Sequence, residues 1–139
     1  MNTICKFIGV ACPYGELAGR IGLAVVFLLG GVGKIAGYAD TQGYMESYGV
    51  PGLLLPLVIA LEIGGAAGLM VGWKTRWFAL ALAAFTVLTA LLFHFDFDND
   101  LQKILFLKNI AIAGGLLILC HAGPGRFSID RLLSKRDNA

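Results

Sequence analysis

Charge is what this chain has least of. Only 14% of its 139 residues are Asp, Glu, Lys or Arg, against roughly 25% in an ordinary soluble domain. Hydrophobic residues make up 58%, and the mean hydropathy is +0.78. A chain of this length buries only about two-thirds of its unfolded surface, so this much apolar surface cannot be hidden from water. The excess must face lipid, which excludes a soluble enzyme, a disulfide-stapled secreted domain and a disordered chain. Three cysteines, Cys5, Cys12 and Cys120, form no C-x-x-C pair, so neither a thioredoxin-type centre nor a zinc site is encoded. A net charge of +2 without a basic stripe interleaved with aromatics gives no reason to expect nucleic acid as a partner. Strict apolar–polar alternation is also missing, which argues against a β-barrel.

What is present is four apolar runs, at about 17–36, 53–72, 77–95 and 101–122. Each approximates the roughly 20 residues that one bilayer crossing needs. The expected fold is an all-α integral membrane protein, a four-helix transmembrane bundle over 17–122. It follows an N-terminal stretch, 1–16, and precedes a basic tail, 123–139. Gly9-Val10-Ala11-Cys12 has the outline of a lipoprotein processing site, but the short stretch before it is interrupted by Lys6. The N-terminus is therefore expected to stay uncleaved. In the long connection 37–52, Asp40 is placed to cap a short helix. Tyr38, Tyr44 and Tyr48 suit the headgroup level, so that helix is expected to be interfacial.

The distribution of cations sets an expected orientation. Lys6, Arg20, Lys74, Arg76, Arg126, Arg131, Lys135 and Arg136 fall on one side of a four-span arrangement, and Asp40, Glu46, Asp96, Asp98 and Asp100 on the other. Lys103 is the only basic residue outside a span on the acidic side. The positive-inside rule places both termini in the cytoplasm. All three cysteines then lie on the reducing side, where structural disulfides are not expected. After Gly123-Pro124-Gly125, Ser128 is placed to cap a short helix carrying Ile129, Leu132 and Leu133 opposite Arg131, Lys135 and Arg136. That segment reads either as a positively charged stop-transfer tail or as a helix lying on an anionic leaflet. Gly64-x-x-x-Gly68-x-x-x-Gly72 lines one face of the second run. Gly15-x-x-x-Gly19, Gly33-x-x-x-Gly37 and Ala111-x-x-x-Gly115 add further small-residue faces, which predict a compact bundle without by themselves predicting a dimer.

Five ionisable residues fall inside the runs: Arg20, Lys34, Glu62, His94 and Lys108. Each costs a few kcal/mol on insertion scales, so each needs a reason. At about 1.5 Å of rise per residue, Glu62 lies about 13 Å and Lys108 about 10 Å below the outer surface. Lys34 and His94 lie within about a turn of that surface. These four converge from four helices in the outer half of the bundle. Pairing Glu62 with Lys34, with Lys108 or with both avoids an isolated charge in lipid. Lys34 and His94 otherwise reach the outer headgroups, and Arg20 reads as an inner-surface anchor. Asn109, about 100° around the helix from Lys108, is expected to bond a neighbouring span. His121 lies at the inner end, far from His94, so a bis-His haem is not expected. Glu62 and His94 alone make too thin a set for a metal site.

Read together, these residues resemble the DoxX family. Arg20-x6-Phe27-x2-Gly30-Gly31-x2-Lys34 is similar to its opening signature, and Tyr44-x3-Tyr48-Gly49-Val50-Pro51 to its outer loop. Leu61-Glu62-x-Gly64-Gly65-x2-Gly68-x3-Gly72-x2-Thr75-Arg76 resembles its second span and inner turn. Phe93-His94, Phe106-Leu107-Lys108-Asn109-Ile110-Ala111 and Gly123-Pro124-Gly125-Arg126-Phe127-Ser128-Ile129-Asp130 complete the match. The resemblance covers roughly 19–131. It implies a four-span bacterial inner-membrane protein. It also implies partners of a class linked to quinone-coupled oxidation, such as small subunits of thiosulfate:quinone oxidoreductases and complexes handling oxidative stress.

No flavin, haem, iron–sulfur or copper motif is encoded, so a redox cofactor is either borrowed or quinone itself. The leading expectation is a quinone-interacting subunit of a membrane redox system, with redox partner subunits. Glu62, Lys108 and His94 are its candidate catalytic residues, and Lys34, His94, Lys108 and Asn109 its candidate quinone-binding residues. The alternative is a non-catalytic scaffold or assembly factor in which the polar cluster only fixes packing. A small proton-coupled carrier titrating Glu62 is a third reading; with no inverted repeat, four spans would need a dimer for alternating access.

Overall fold

Four apolar helices form the molecule, with a short helix inserted after the first and another after the last. The computed structural model describes residues 3–137, with side chains from 13 to 136. Helix α1 spans Thr3–Ala36, α2 Tyr38–Ser47, α3 Leu55–Val71, α4 Thr75–Phe93, α5 Asp100–Ala122 and α6 Ile129–Asp137. Among the described residues there is no strand. The stretches long and apolar enough to cross a membrane are Pro13–Ala36, Gly52–Val71, Thr75–Phe93 and Asp100–Ala122. Helix α1 therefore runs about ten residues beyond its apolar stretch, past Pro13, which removes one backbone donor from its interior.

Packing follows chain order: α1 lies against α3, α3 against α4, and α4 against α5. The core they share is small-sided, built on Ala24, Phe27, Ala66, Leu69, Ala79, Leu82, Ala83 and Leu116. Large apolar side chains point outward instead, among them Leu29, Leu57, Trp77, Ile104 and Ile118, each more than half exposed. That inversion is what a lipid solvent permits, because helices there gain from close backbone contact more than from burying leucine.

Glycines set that contact, at positions partly different from the small-residue faces read in the sequence. A Cβ at Gly65 would stand 2.8 Å from Leu82, and one at Gly68 would overlap the Phe78 ring. Gly64, Gly15, Gly19 and Gly33 meet nothing within 4 Å. The α3–α4 contact is thus made by Gly65 and Gly68, and the i, i+4 series starting at Gly64 turns partly outward.

The ends of the bundle are closed differently. At the α2 end, Asn99 caps α5 by accepting from Leu101 N at 3.0 Å. Helix α2 begins at Tyr38 with Gly37 as its uncapped N-cap residue, so Asp40 sits in the first turn and is not the cap. At the opposite end, the segment 123–130 is stitched to the bundle. The Asp130 carboxylate accepts from Lys74 N at 2.7 Å and Thr75 N at 2.9 Å, closing the start of α4. Asp130 N returns a bond to Gly72 O at 2.9 Å. Gly72 and Lys74 both have positive φ, 71° and 45°, and a turn this tight needs that external clasp. Ser128 accepts from Arg131 N at 3.3 Å and so caps α6.

The free surface of Gly64 and the blocked one of Gly68 give a direct check. Gly68→Ala should destabilise the detergent-solubilised protein by about 1–3 kcal/mol through overlap with Phe78. Gly64→Ala should stay within about 0.5 kcal/mol of the parent, both read from thermal unfolding.

Candidate functional site

The five ionisable residues of the spans separate into two places. Arg20, expected as a surface anchor, is instead only 2% exposed. Its guanidinium donates to the carbonyls of Pro124 and Phe127, so it clamps the 123–130 segment to α1. Charge-assisted bonds of this kind are among the stronger ones available to a protein. The other four, Lys34, Glu62, His94 and Lys108, all line one cavity at the α2 end.

The cavity occupies about 580 Å³, within the range of small-molecule sites. Every spanning helix contributes to it. Helix α1 brings Phe27, Gly30 and Lys34; α3 brings Leu57, Leu61 and Glu62; α4 brings Phe85, Thr86, Thr89 and His94; α5 brings Lys108, Asn109 and Ile112. Thr41, Tyr44 and Met45 of α2 complete it. Val26, Leu57, Leu88 and Leu92 both line it and stand exposed on the flank of the bundle, so the cavity opens sideways, toward lipid.

One ion pair forms its floor. Lys34 Nζ donates to Glu62 Oε1 at 2.9 Å and lies 2.8 Å from Oε2. Glu62 is 5% exposed. The local sequence of α1 prepares this contact. Residues four apart share a helix face, so Gly30 sits one turn below Lys34. A Cβ at Gly30 would be 3.3 Å from Glu62 Oε1, and one at Gly31 would be 2.6 Å from Ile63 Cγ1. The glycine pair lets α3 approach, and Lys34 neutralises the carboxylate brought with it. Of the pairings open from the sequence, the structure makes Lys34–Glu62. Lys108 has no hydrogen bond or ion pair with any described residue. Asn109 makes no side-chain bond to a neighbouring span and faces the same cavity as Lys108, correcting the expected division between them.

His94 closes α4 and shares a 2.7 Å hydrogen bond between Nδ1 and Gln102 Oε1 of α5. With the imidazole donating from Nδ1, Nε2 is left as an acceptor. Above it, Tyr44 stacks on Phe93 at 5.5 Å and lies 5.0 Å from Tyr48, which meets Phe93 edge-on. This aromatic cluster holds α2 over the cavity. Burial, reinforced by Tyr48, pushes the Tyr44 phenol up to about 12, so it is a neutral O–H group at physiological pH. Sequence reasoning missed Tyr44, Gln102, Thr86 and Thr89 as parts of this site, because Tyr44 comes from a connecting segment and the other three are ordinary helix residues until their neighbours are placed.

No group of three His, Cys, Asp or Glu side chains gathers among the described residues. His121 is exposed near the end of α5. Cys120 is a free, half-buried thiol packed beside the core; the side chains of Cys5 and Cys12 lie outside the described residues.

The pairing makes a checkable claim. Glu62→Gln and Lys34→Met should each destabilise the protein by about 3–5 kcal/mol, with much of the loss recovered in the double variant. Glu62→Gln combined with Lys108→Met should be additive instead. Thermal unfolding of the three single and two double variants in one detergent measures both couplings.

Comparison with known proteins gives the site its setting. A family model described as DoxX matches residues 15–95, a range that holds Lys34, Glu62 and His94 and ends before Lys108. Inner membrane protein YqjF of Escherichia coli (strain K12) is 52% identical over 122 residues, covering 88% of this chain and 94% of that protein. Inner membrane protein YphA of the same organism is 36% identical over 139 residues, covering 94% and 99%. Surfeit locus protein 4 homolog of Schizosaccharomyces pombe is 28% identical over 124 residues, covering 84% of this chain and 37% of that protein. No solved structure matches the chain. Four apolar helices and relatives matched along almost their whole length lead to one conclusion: the chain belongs to the DoxX family and is a multi-pass inner-membrane protein.

Proposed function

We propose that this protein is a quinone-interacting subunit of a membrane redox system, and that the cavity at the α2 end receives the quinone ring. One observation carries the reading: an apolar cavity of about 580 Å³ opens sideways among the spans and collects a few polar groups from five helices. A quinone travels in the hydrocarbon layer, needs donors at its carbonyl oxygens, and needs a route for protons when it is reduced. The Lys108 ammonium and the Asn109 amide are the unpaired donors of the cavity. Tyr44 offers a neutral hydroxyl. Glu62 and His94 are the groups able to take or give a proton at the ring, with Lys34 holding the Glu62 carboxylate in place. Electrons come from a partner subunit in this reading, since the chain itself carries no recognisable redox-cofactor motif.

A scaffold or assembly role is the second reading. Its support is the Lys34–Glu62 pair, which is complete within the protein and joins α1 to α3 without any ligand.

The same proposal includes an orientation. Arg20, Lys74, Arg76, Arg126, Arg131, Lys135 and Arg136 gather at the α6 end, and Asp40, Glu46, Asp96, Asp98 and Asp100 at the other. By the positive-inside rule the α6 end is cytoplasmic and the cavity lies toward the periplasm. Helix α2 then rests at the periplasmic interface, with its tyrosines at headgroup level. A reporter enzyme active only in the periplasm should be silent when fused after Ala139 and active when inserted in the 96–100 loop; activity at the C-terminus reverses the assignment.

Quinone binding is tested by purification in mild detergent and mass spectrometry of the extracted lipid fraction. Bound quinone near one per chain is expected. Lys108→Met should lower it about tenfold or more, the value of one charge-assisted hydrogen bond. A ligand-free protein that co-purifies with a client protein would replace this reading with the scaffold.

A further inference from the structure

The charge balance of the cavity narrows its ligand further, and this step rests on the cavity being a ring-binding site. Two lysines and one carboxylate line it: Lys34, Lys108 and Glu62. Lys34 and Glu62 cancel, at 2.8–2.9 Å. Glu62 is 5% exposed and paired with Lys34, and no hydrogen bond or ion pair joins it to Lys108, although its Oε2 has no hydrogen-bond partner among the described residues. Asp40 and Glu46 of α2 are not among the lining residues. A proton on His94 would only add positive charge. With Lys34 and Glu62 matched, Lys108, which stands exposed on α5 within a run read as a span, is the cavity's unmatched cationic side chain. A lone ammonium in such surroundings is costly unless an anion joins it.

We infer that the cavity selects ring ligands bearing an acidic hydroxyl, bound as the oxyanion against Lys108. The chemical class is hydroxyquinones and comparable acidic phenols. In a 2-hydroxyquinone the hydroxyl is a vinylogous carboxylic acid and is ionised at neutral pH, whereas an unsubstituted quinone offers only neutral carbonyls. The oxyanion turns a charge-to-dipole contact at Lys108 into a charge-to-charge one. Phe27, Leu61, Phe85 and Ile112 give the cavity apolar walls, and apolar surroundings strengthen a contact of this kind. Asn109, one residue along α5 and lining the same cavity, supplies an amide donor to the neighbouring carbonyl. No covalent or redox step is required; selection is by binding alone.

The test compares three probes on the full-length protein in one detergent at pH 7: 1,4-naphthoquinone, 2-hydroxy-1,4-naphthoquinone and its 2-methoxy ether. Affinities are read by equilibrium dialysis with absorbance detection of the probe and confirmed by thermal shift. The hydroxy compound should bind about tenfold more tightly than either neutral probe, the difference between a charge-assisted and a neutral hydrogen bond. Lys108→Met should erase that ratio, and Lys108→Arg should keep most of it. Lys103→Met, which removes a surface cation paired with Asp100 on the same helix, should leave the ratio unchanged. Equal binding of all three probes overturns the inference while leaving the ring site standing. Binding of none overturns the ring site itself. A ratio that survives Lys108→Met, or that falls equally in Lys103→Met, overturns the role assigned to Lys108.

Discussion

A carboxylate within the hydrocarbon layer has to be neutralised, and the pairing of Glu62 with Lys34 is the contact on which the rest of this structure hangs. The pair joins α1 to α3 with the Glu62 side chain 7% exposed and the Lys34 side chain 27% exposed. Its geometry demands that the two helices come close, and Gly30 and Gly31 are what make that approach possible. Once α1 and α3 are set, Gly65 and Gly68 bring α4 onto the other side of α3, and α5 follows against α4. The order of packing in the bundle is thus the order in which small residues face their neighbours. A larger side chain at Gly30 or Gly31 would press on Glu62 or Ile63 and so disturb both the fold and the floor of the cavity.

The two ends of the bundle use their polar groups for different purposes. At the α6 end, Arg20 and Asp130 turn all their strength on backbone groups: two carbonyls for the guanidinium, two amides and the α4 start for the carboxylate. Groups engaged in this way hold the chain and have little left to offer a ligand. At the α2 end the threonines of the cavity also bond backbone carbonyls, whereas Lys34, Glu62 and His94 meet side chains. Lys108 and Asn109 are left unpaired around a hollow that no side chain fills. A protein that needed only stability would have little use for such an arrangement, since unpaired polar groups in lipid are costly. The contrast sets the backbone-bonded end of the bundle apart from the end that holds the cavity.

Much of this was legible in the sequence, for physical reasons that differ by residue. Four apolar runs must be helices because lipid leaves a backbone no other partner than itself, and the structure has four such helices. Glu62 stood out because depth along a helix follows from residue number alone. Its partner did not, because depth does not fix which way a side chain faces. Lys34 and Lys108 were equivalent until the position of Gly30, one turn from Lys34 on the same face, is seen as room for the carboxylate. Arg20 was misplaced for a related reason. Its acceptors lie 104 and 107 residues away in the chain, in a loop whose return to the bundle is a tertiary event. Tyr44 enters the cavity on α2, a segment that only docking positions, and Gln102 joins the site through its bond to His94. Asp40 looked like a cap because of its residue type, yet α2 starts two residues earlier, with Gly37 as its N-cap and the Gly37 carbonyl accepting from Thr41.

The unpaired Lys108 sets this cavity apart in so small a membrane protein. Its ammonium lines the hollow with no hydrogen bond or ion pair to a described residue, while Lys34, lining the same cavity, is taken up by Glu62. Tyr44, Tyr48 and Phe93 pack at 5.0–5.5 Å on the α2 side, and neither phenol is hydrogen-bonded to the lysine. A cation without a partner is costly in lipid, so of the charged groups on the cavity wall Lys108 is the one whose surroundings leave its charge unmatched.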